Sequence, residues 1–567
     1  MGVNKNGKRG FKYFLLLTVA LVLAACSSDE NVDEAAEGGG STEETAGGTI
    51  NIGMSEDMVT VDPHGSNDSA SAQIRRNIYE SLIFQDEALE LTPGLATEWE
   101  ATEDTVWNFK LREGTTFHSG QEFTAEDVKA TIDRVNDPAV ASQVAFLYEM
   151  IEEVEVVGDY EVNLHTEYAF APLPAHLSHN AGGIMSKDLI DKDYQAALDE
   201  AGSDVTLEEY YELREAGGDE FQAVADEISE HIGGVTGAET DGTNHLQMTD
   251  RSPGDSVTLS KFEDFQNGER EFDEVVFRVI PETQARLAEL DTGGIDIANE
   301  IDTASADRIQ NGDATELIES ESVRMNYLGF NMEKEPFDDP LVRQAIAHAI
   351  DRDEIISGVY DGYGITAQSP LAPDVWGYDE NLESIDVDVE RAQELLSESS
   401  QPDGFTTTLW VNDDPAIVDS AVYIQNALSE IGITVEVQQS EWGAFLDQTA
   451  NGEHDMFILG WTTVTADADY GLYALFHSNN FGAPGNRSFY ENEEVDTLLD
   501  EGRMNPDEAG RQEAYSEVQQ ILIDDSPAVY LNHTSFLLGV NNDSVNNIGL
   551  DPVGNIRLEN ASFGTEE

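Results

Sequence analysis

VWNFKLREGTTFHSGQEFTAEDVKATIDRV, residues 106 to 135, places a strand and a helix in close succession. In its first six residues Trp107, Phe109 and Leu111 alternate with polar neighbours, which puts them on one face of a strand. Thr124 is followed three residues later by Asp127, the spacing of a capping box, and Val128, Ile132 and Val135 then recur at helical period. The switch of period repeats along the chain. Asp339 and Pro340 open a helix whose Val342, Ala345, Ile346, Ala349 and Ile350 form one buried stripe. AVYIQNALSEIG, residues 421 to 432, buries Ile424, Leu428 and Ile431, stops at Gly432 and leads into the strand ITVEVQ. HDMFILGWTT, from His454, reads as a further strand before an acidic loop. These alternations predict mixed α/β lobes and exclude a sandwich, a helical bundle or a repeat array.

The chain has 567 residues, 114 Asp and Glu against 28 Lys and Arg, and a formal net charge of -86. Its hydrophobic content, 40%, is enough to build cores, so this is a folded acidic protein and not a disordered tail. Such a field repels nucleic acid, acidic polymers and anionic lipid. It also opposes compactness unless salt screens it; at ~1 M the Debye length is only ~3 Å, so a protein working in concentrated salt is expected.

The first 12 residues carry Lys5, Lys8, Arg9 and Lys12 with no acid, and residues 13 to 25 are YFLLLTVALVLAA. That is the plan of an export signal over 1–25, too short to span a membrane. Without those four bases the mature chain keeps 24 against the 114 acids. Leu23, Ala24, Ala25 and Cys26 resemble a lipobox, which makes Cys26 the expected lipidated residue and the tie to the outer face of the cell membrane. Cys26 is the only cysteine, so no intrachain disulfide is expected. Residues 26–48 are acidic and without apolar period, a flexible tether. TINIG at 49 to 53 begins the body as a strand and leads to the polar loop VDPHGSNDSAS. Residues 191–240 hold 15 acids and two bases; Leu207, Tyr210, Tyr211 and Leu213 form one apolar set and Phe221, Val224 and Ile228 another, predicting a solvated helical insertion.

No GxSxG, GxxxxGK[ST] or HExxH is present, so neither a nucleophile elbow, a phosphate loop nor a zincin helix is expected. Gly362, Gly364 and Ala367 follow a helix end and read as a turn. His176 and His179 lack further ligands at metal-binding spacing and read as surface or interlobe histidines, so no metal or cofactor is expected. Asp467 and Asp469 follow a buried strand; a solvated surface loop is the alternative to a site there.

At longer range the chain resembles the extracytoplasmic solute-binding proteins of peptide-type ABC importers, family 5, the dipeptide, oligopeptide, nickel and glutathione group. WNFKLREGTTFHSGQEFTAEDV from Trp107 and NYLGFNMEKEPFDDPLVRQAIAHAIDRDEII from Asn326 resemble its two hallmark stretches. GYGITAQSPLAPDVWGY from Gly362, EWGAFLDQTANGEHDMFILGWT from Glu441 and DPHGSNDSASAQIRRNIYESLI from Asp62 match in the expected order. The resemblance implies a two-lobed periplasmic-binding-protein-like fold of type II with an additional small domain. By analogy, lobe one is 49–83, 240–322 and 530–567, the small domain is 84–239 and lobe two is 323–529. It also implies a non-enzymatic receptor that presents peptide-like solutes to membrane permease subunits. A surface lipoprotein that binds or senses nickel, haem or another small solute without transport, and a surface hydrolase, are the alternatives.

The loop at Asn67 matches a cleft-lining segment, and Arg75 and Arg76 behind it are candidates to grip a carboxylate through paired hydrogen bonds. Trp410, Trp442 and Trp461 lie in segments that approach the cleft in the family, where their rings would pack on ligand side chains. In dipeptide receptors an Asp shortly after the GW pair neutralises the ligand amine. Here TTVT follows Gly460 and Trp461, and the nearest acids are Asp467 and Asp469, which favours an oligopeptide or glutathione-like ligand. GTNHL at Gly242 to Leu246 stands where a GTGPF-like turn is usual.

Overall fold

The strand and cap expected at residues 106 to 135 form as their spacing requires. Val106–Leu111 is a strand, and Thr124 N donates to the Asp127 carboxylate (2.9 Å) at the start of the helix Ala125–Val135. The helices Pro340–Ala349 and Pro415–Glu430 likewise start where Asp339 and Asp414 cap free backbone N–H groups. Val342, Ala345, Ile346, Ala349 and Ile350 are all buried, each larger side chain adding about 1.5–3 kcal/mol. The computed structural model describes residues 48–563 apart from 269 and 484. The export signal, Cys26 and the tether to residue 47 lie outside the described residues.

An eleven-stranded mixed sheet runs through the body. One half is built on Gly48–Met54, parallel to Phe272–Val279, with Ser256–Lys261 and Leu246–Ser252 continuing outward as antiparallel partners. The other half is built on Met456–Thr462 and Thr406–Val411, with Thr434–Gln439 at the edge, all three parallel. Two long antiparallel strands, Thr315–Phe330 and Ala528–Asn541, belong to both halves. Their outer part pairs Thr315 to Glu321 with Asn541 to Ser535, and their inner part pairs Met325 to Gly329 with His533 to Ala528. Between the parts the register slips, so Ser322, Val323 and Arg324 form a bulge. The bulge lies where the two long strands pass from one half of the sheet to the other.

Each half of the sheet is covered on both faces, as parallel strands require. Ile50, Ile52, Val275 and Phe277 pack in one core of the first lobe, and Leu287, Ile295 and Ile309 in a second. In the second lobe Leu328, Ile346 and Ile424 form one core, while Tyr327, Phe457, Leu472 and Tyr515 form the other. A separate four-stranded antiparallel sheet, Ala96–Glu103, Val106–Leu111, Glu161–Thr166 and Ile151–Gly158 in spatial order, closes over the helix Ala125–Val135.

The acidic stretch 191–240 is more deeply integrated than a solvated insertion. Lys187–Ala201, Leu207–Ala216 and Asp219–Ile228 are helices, and Tyr210, Phe221, Val224 and Ile228 join the same core as Ile50 and Ile52. Most of the acids face outward, and the apolar stripes do the docking; Asp193 is buried. A buried ionic cluster completes the attachment. Arg134 donates to both Asp62 oxygens (3.0 and 2.6 Å), to Asp193 (3.3 Å) and to Thr236 (3.0 Å). Asp193 in turn accepts from the backbone N–H groups of Gly233 and Val235. One guanidinium therefore joins the 62–66 loop, the helix Ala125–Val135 and the acidic helices.

Candidate functional site

The chain from Asp62 to Arg75 is a loop ending in a short helix, Ser69–Arg75, capped by Asp68, which accepts from Ser71 N (2.8 Å). Its apex, Asn67, is exposed, and its side chain approaches the Tyr470 hydroxyl of the second lobe. Burial pushes that hydroxyl up to about 12, against the opposing effect of Asn67. Tyr470 lies on the helix Ala468–Phe476 and packs against Trp461 (5.3 Å between ring centroids), Phe146 (6.1 Å) and His179 (6.4 Å). The seam between the lobes is thus an aromatic layer fed from three parts of the chain.

Polar contacts clamp one end of this seam. Asp469 takes a paired hydrogen bond from Arg503 (3.1 and 2.9 Å) and stands 3.6 Å from His176 Nε2 of the small domain. Burial alone would raise the Asp469 carboxyl, but Arg503 and His176 outweigh it and hold the group well below the usual carboxylate range. Arg503 also lies over Tyr473 (3.4 Å) and Phe170 (5.2 Å), and its carbonyl accepts from Ala171 N (2.9 Å). Gln85 Nε2 donates to Thr465 O (2.7 Å), a further bond across the seam. The lobes are closed on one another here.

Asn67, Trp461 and Asp469 therefore meet at the seam. Other residues predicted for the site have different surroundings. Arg75 is 1% exposed and donates to the carbonyls of Asp62 and Ser66 (3.0 Å each) and to Asn180 (3.0 Å), so it braces the Asn67 loop from beneath. Arg76 pairs with Asp551 (3.4 Å), which Arg557 shares. Neither guanidinium of the adjacent pair is free for a carboxylate in this arrangement. Asp467 and Asp469 are buried and not on a solvated loop: Asp467 caps Ala468–Phe476 and takes two bonds from Arg511 (2.9 Å each). Both charges are already balanced by arginines, so neither stands ready for a ligand amine. Trp410 is half-buried with its Nε1 on Thr408 (2.9 Å), and Trp442 is 45% exposed and stacked on Phe445.

Tyr470, Phe146, Phe170 and Arg503 escaped the sequence reading, because no local spacing links residues that meet only when the lobes close. His176 and His179 are interlobe histidines: His176 Nδ1 faces Leu147 O (3.0 Å), and His179 Nδ1 accepts from Ala181 N (3.1 Å). The altered 242–246 turn packs on the segment after the Asn67 helix. Gly242 is required there, since a Cβ would fall 2.1 Å from Ile78 O, and Asn244 Nδ2 donates to Arg76 O (2.6 Å). Trp461 Nε1 and Thr465 Oγ1 are buried without a hydrogen-bond partner among the described residues, an open demand that a polar solute in the seam would meet.

Two long shared strands, two covered half-sheets and an aromatic seam clamped by polar contacts give the body a two-lobed form. The profile of the bacterial extracellular solute-binding proteins, family 5, matches residues 90–483. The chain belongs to that family. Among its relatives, the glutathione-binding protein GsiB of Pectobacterium atrosepticum is 27% identical over 489 residues, covering 85% of this chain and 87% of that one. The dipeptide-binding protein of Escherichia coli is 26% identical over 510 residues, covering 86% and 89%. The periplasmic binding protein DppA of Helicobacter pylori, solved with the peptide STSA, superposes with a TM-score of 0.72 at 26% identity, over 90% of this chain and 97% of that one. Members of family 5 are binding proteins, and membership accounts for the two-lobed fold.

Histidines buried as neutral acceptors make this family 5 chain acid-sensitive. Burial, then the Arg134 charge, lowers His64 to about 3, and burial, then Arg75 and His176, lowers His179 to about 3. Their folded values lie below the unfolded value, so their stabilisation is full above pH ~6.5 and is lost as pH falls toward 3. Each is expected to remove about 2 kcal/mol between pH 6.5 and 5. Asp62 and Asp469, both depressed, act in the same direction only below pH ~4. Unfolding measured in molar salt, where general repulsion is screened, should show stability falling from pH 7 to 5, and His179→Asn should flatten that fall. A flat profile between those values contradicts the assignment.

Proposed function

We propose that this chain is the receptor of an ABC importer, which captures a peptide-like solute outside the cell and hands it to the membrane permease. The observation that supports this most is the seam itself: Asn67 of one lobe approaches Tyr470 of the other, which packs on Trp461, beside buried polar atoms that lack partners among the described residues. A solute held there touches both lobes and thereby favours the closed state, as population shift requires. Asn67, Trp461 and Tyr470 are its proposed walls. An oligopeptide or a glutathione-like thiol peptide suits the seam better than a free dipeptide, because Asp467 and Asp469 are already paired. Lipid on Cys26 holds the body at the extracytoplasmic face of the cell membrane, and the acidic surface keeps it soluble in concentrated salt.

Uptake of labelled peptides by cells lacking this chain tests the reading. Uptake should fall sharply and return with the intact chain. The Cys26→Ala form should bind as before but escape into the medium. Unchanged uptake, together with no peptide binding by the purified protein, contradicts the receptor role; a Cys26→Ala form that stays in the membrane fraction contradicts the lipid anchor.

A further inference from the structure

His176 ends the short helix Leu173–His176 of the small domain and is buried. Both of its ring nitrogens face acceptors. Nδ1 lies 3.0 Å from Leu147 O, a carbonyl of its own domain, and Nε2 lies 3.6 Å from Asp469 Oδ2 across the seam. A neutral imidazole carries one N–H, so it satisfies one of these oxygens and turns a lone pair toward the other. With the proton on Nδ1 the lone pair meets the carboxylate; with the proton on Nε2 it meets the carbonyl. Only the imidazolium donates to both. Two neighbouring buried histidines are built the opposite way. His179 Nδ1 accepts from Ala181 N (3.1 Å) and His64 Nδ1 accepts from Arg134 Nη1 (2.9 Å), contacts that require an unprotonated nitrogen.

Asp469 holds its charge, as the Arg503 pair requires. Oδ1 accepts from Arg503 Nε (3.1 Å) and the Tyr515 hydroxyl (3.2 Å). Oδ2 accepts only from Arg503 Nη2 (2.9 Å) among the described residues, which leaves its second acceptor site to His176. Of the other titratable groups around the ring, Arg503 and, beyond His179, Arg75 oppose an added positive charge. Glu149, which faces Arg503 with Glu167 beside it, favours one. Tyr148, Tyr168, Tyr470, Tyr473 and Tyr515 stay uncharged, because burial raises each phenol. Among the described residues Asp469 alone stands within ion-pair reach of Nε2, and that pairing offsets the cost of burying the imidazolium.

The two acceptors belong to different bodies. Leu147 moves with the ring, whereas Asp469 belongs to the second lobe. If the two surfaces part, Nε2 meets water, which donates or accepts as required, and the ring returns to the ordinary titration of a histidine near ~6.5. We infer that His176 takes a proton from the medium as the small domain and the second lobe meet, so that capture of the solute is coupled to uptake of one proton. This inference rests on the receptor reading and adds to it a dependence on protons. Because the closed form holds the proton to a higher pH than the open form, mild acid favours capture and alkali favours release.

The probe is a mixture of glutathione with di-, tri- and tetrapeptides, offered in concentrated ammonium acetate at pH 6 and at pH 8, with bound species read by native mass spectrometry. The unaltered mature chain and His176→Gln meet the same peptides, so titration of the peptides themselves cancels between them. The ratio of capture at pH 6 to capture at pH 8 should be at least about threefold larger for the unaltered chain than for His176→Gln, whose amide can donate to Asp469 at either pH. Equal ratios overturn the coupling and leave the receptor reading standing. No capture by the unaltered chain at either pH overturns both. Should His176→Gln fail to fold, ring-nitrogen resonances of the unaltered chain decide. One of the 11 histidines should hold its second ring proton to a higher pH in the peptide-loaded chain than in the solute-free one, and the absence of such a ring overturns the coupling.

Discussion

Replacing Arg134 by methionine is expected to destabilise the protein by about 3–5 kcal/mol, the cost of leaving buried carboxylates without their counter-charge. Asp62 and Asp193 are almost inaccessible and share this single guanidinium. Burial alone would raise Asp62, and the Arg134 charge outweighs it to hold the group well below the usual carboxylate range. Without Arg134, Asp62 has to take up a proton or draw in water, and His64, which accepts from Arg134 through Nδ1 (2.9 Å), loses its donor. Damage should spread to binding, because the loop braced by this cluster carries Asn67 to Tyr470. Denaturant unfolding in molar salt, followed separately by tryptophan fluorescence and by far-ultraviolet dichroism, measures the loss. The acidic helices should release before the second lobe. A change under about 1 kcal/mol with intact helices would show that the cluster is not what attaches them.

How much of this was legible beforehand depended on the range of each signal. The strand and capped helix of residues 106–135 and the stripe from Val342 to Ile350 were legible because propensity, capping and burial act within a few residues. The fold followed from their order and from the family resemblance. The acidic helices were read as solvated from their charge, yet three or four apolar side chains per helix sufficed to dock them into the first core. Arg75 and Arg76 looked like ligand anchors because two adjacent bases stand out in an acidic chain. Their partners, the Asp62 and Ser66 carbonyls and Asp551, are fixed by chain reversals and by a segment some 475 residues away, which no spacing reveals.

Solute binding should produce the other large effect. A solute that touches Asn67 and Trp461 binds the folded, closed protein and not the unfolded chain. At a thousandfold excess over its dissociation constant it should stabilise by about 4 kcal/mol. In the receptor proposed above, closure would turn on the paired strands Thr315–Phe330 and Ala528–Asn541, bringing Tyr470 to Asn67 and Phe146 and seating Asp469 and Arg503 against the small domain. Without solute the aromatic layer and the two backbone-mediated bonds at Thr465 and Arg503 must hold the seam alone, and the open form should gain population.

Solution X-ray scattering of the mature chain, stripped of solute by unfolding and refolding in molar salt, tests this closing motion most directly. Titration with the peptide that native mass spectrometry shows bound should shrink the radius of gyration and raise the melting midpoint together, both saturating at one solute per chain. A radius that stays constant while the midpoint rises, or a protein that responds to no solute at all, would contradict a receptor whose lobes close around its cargo.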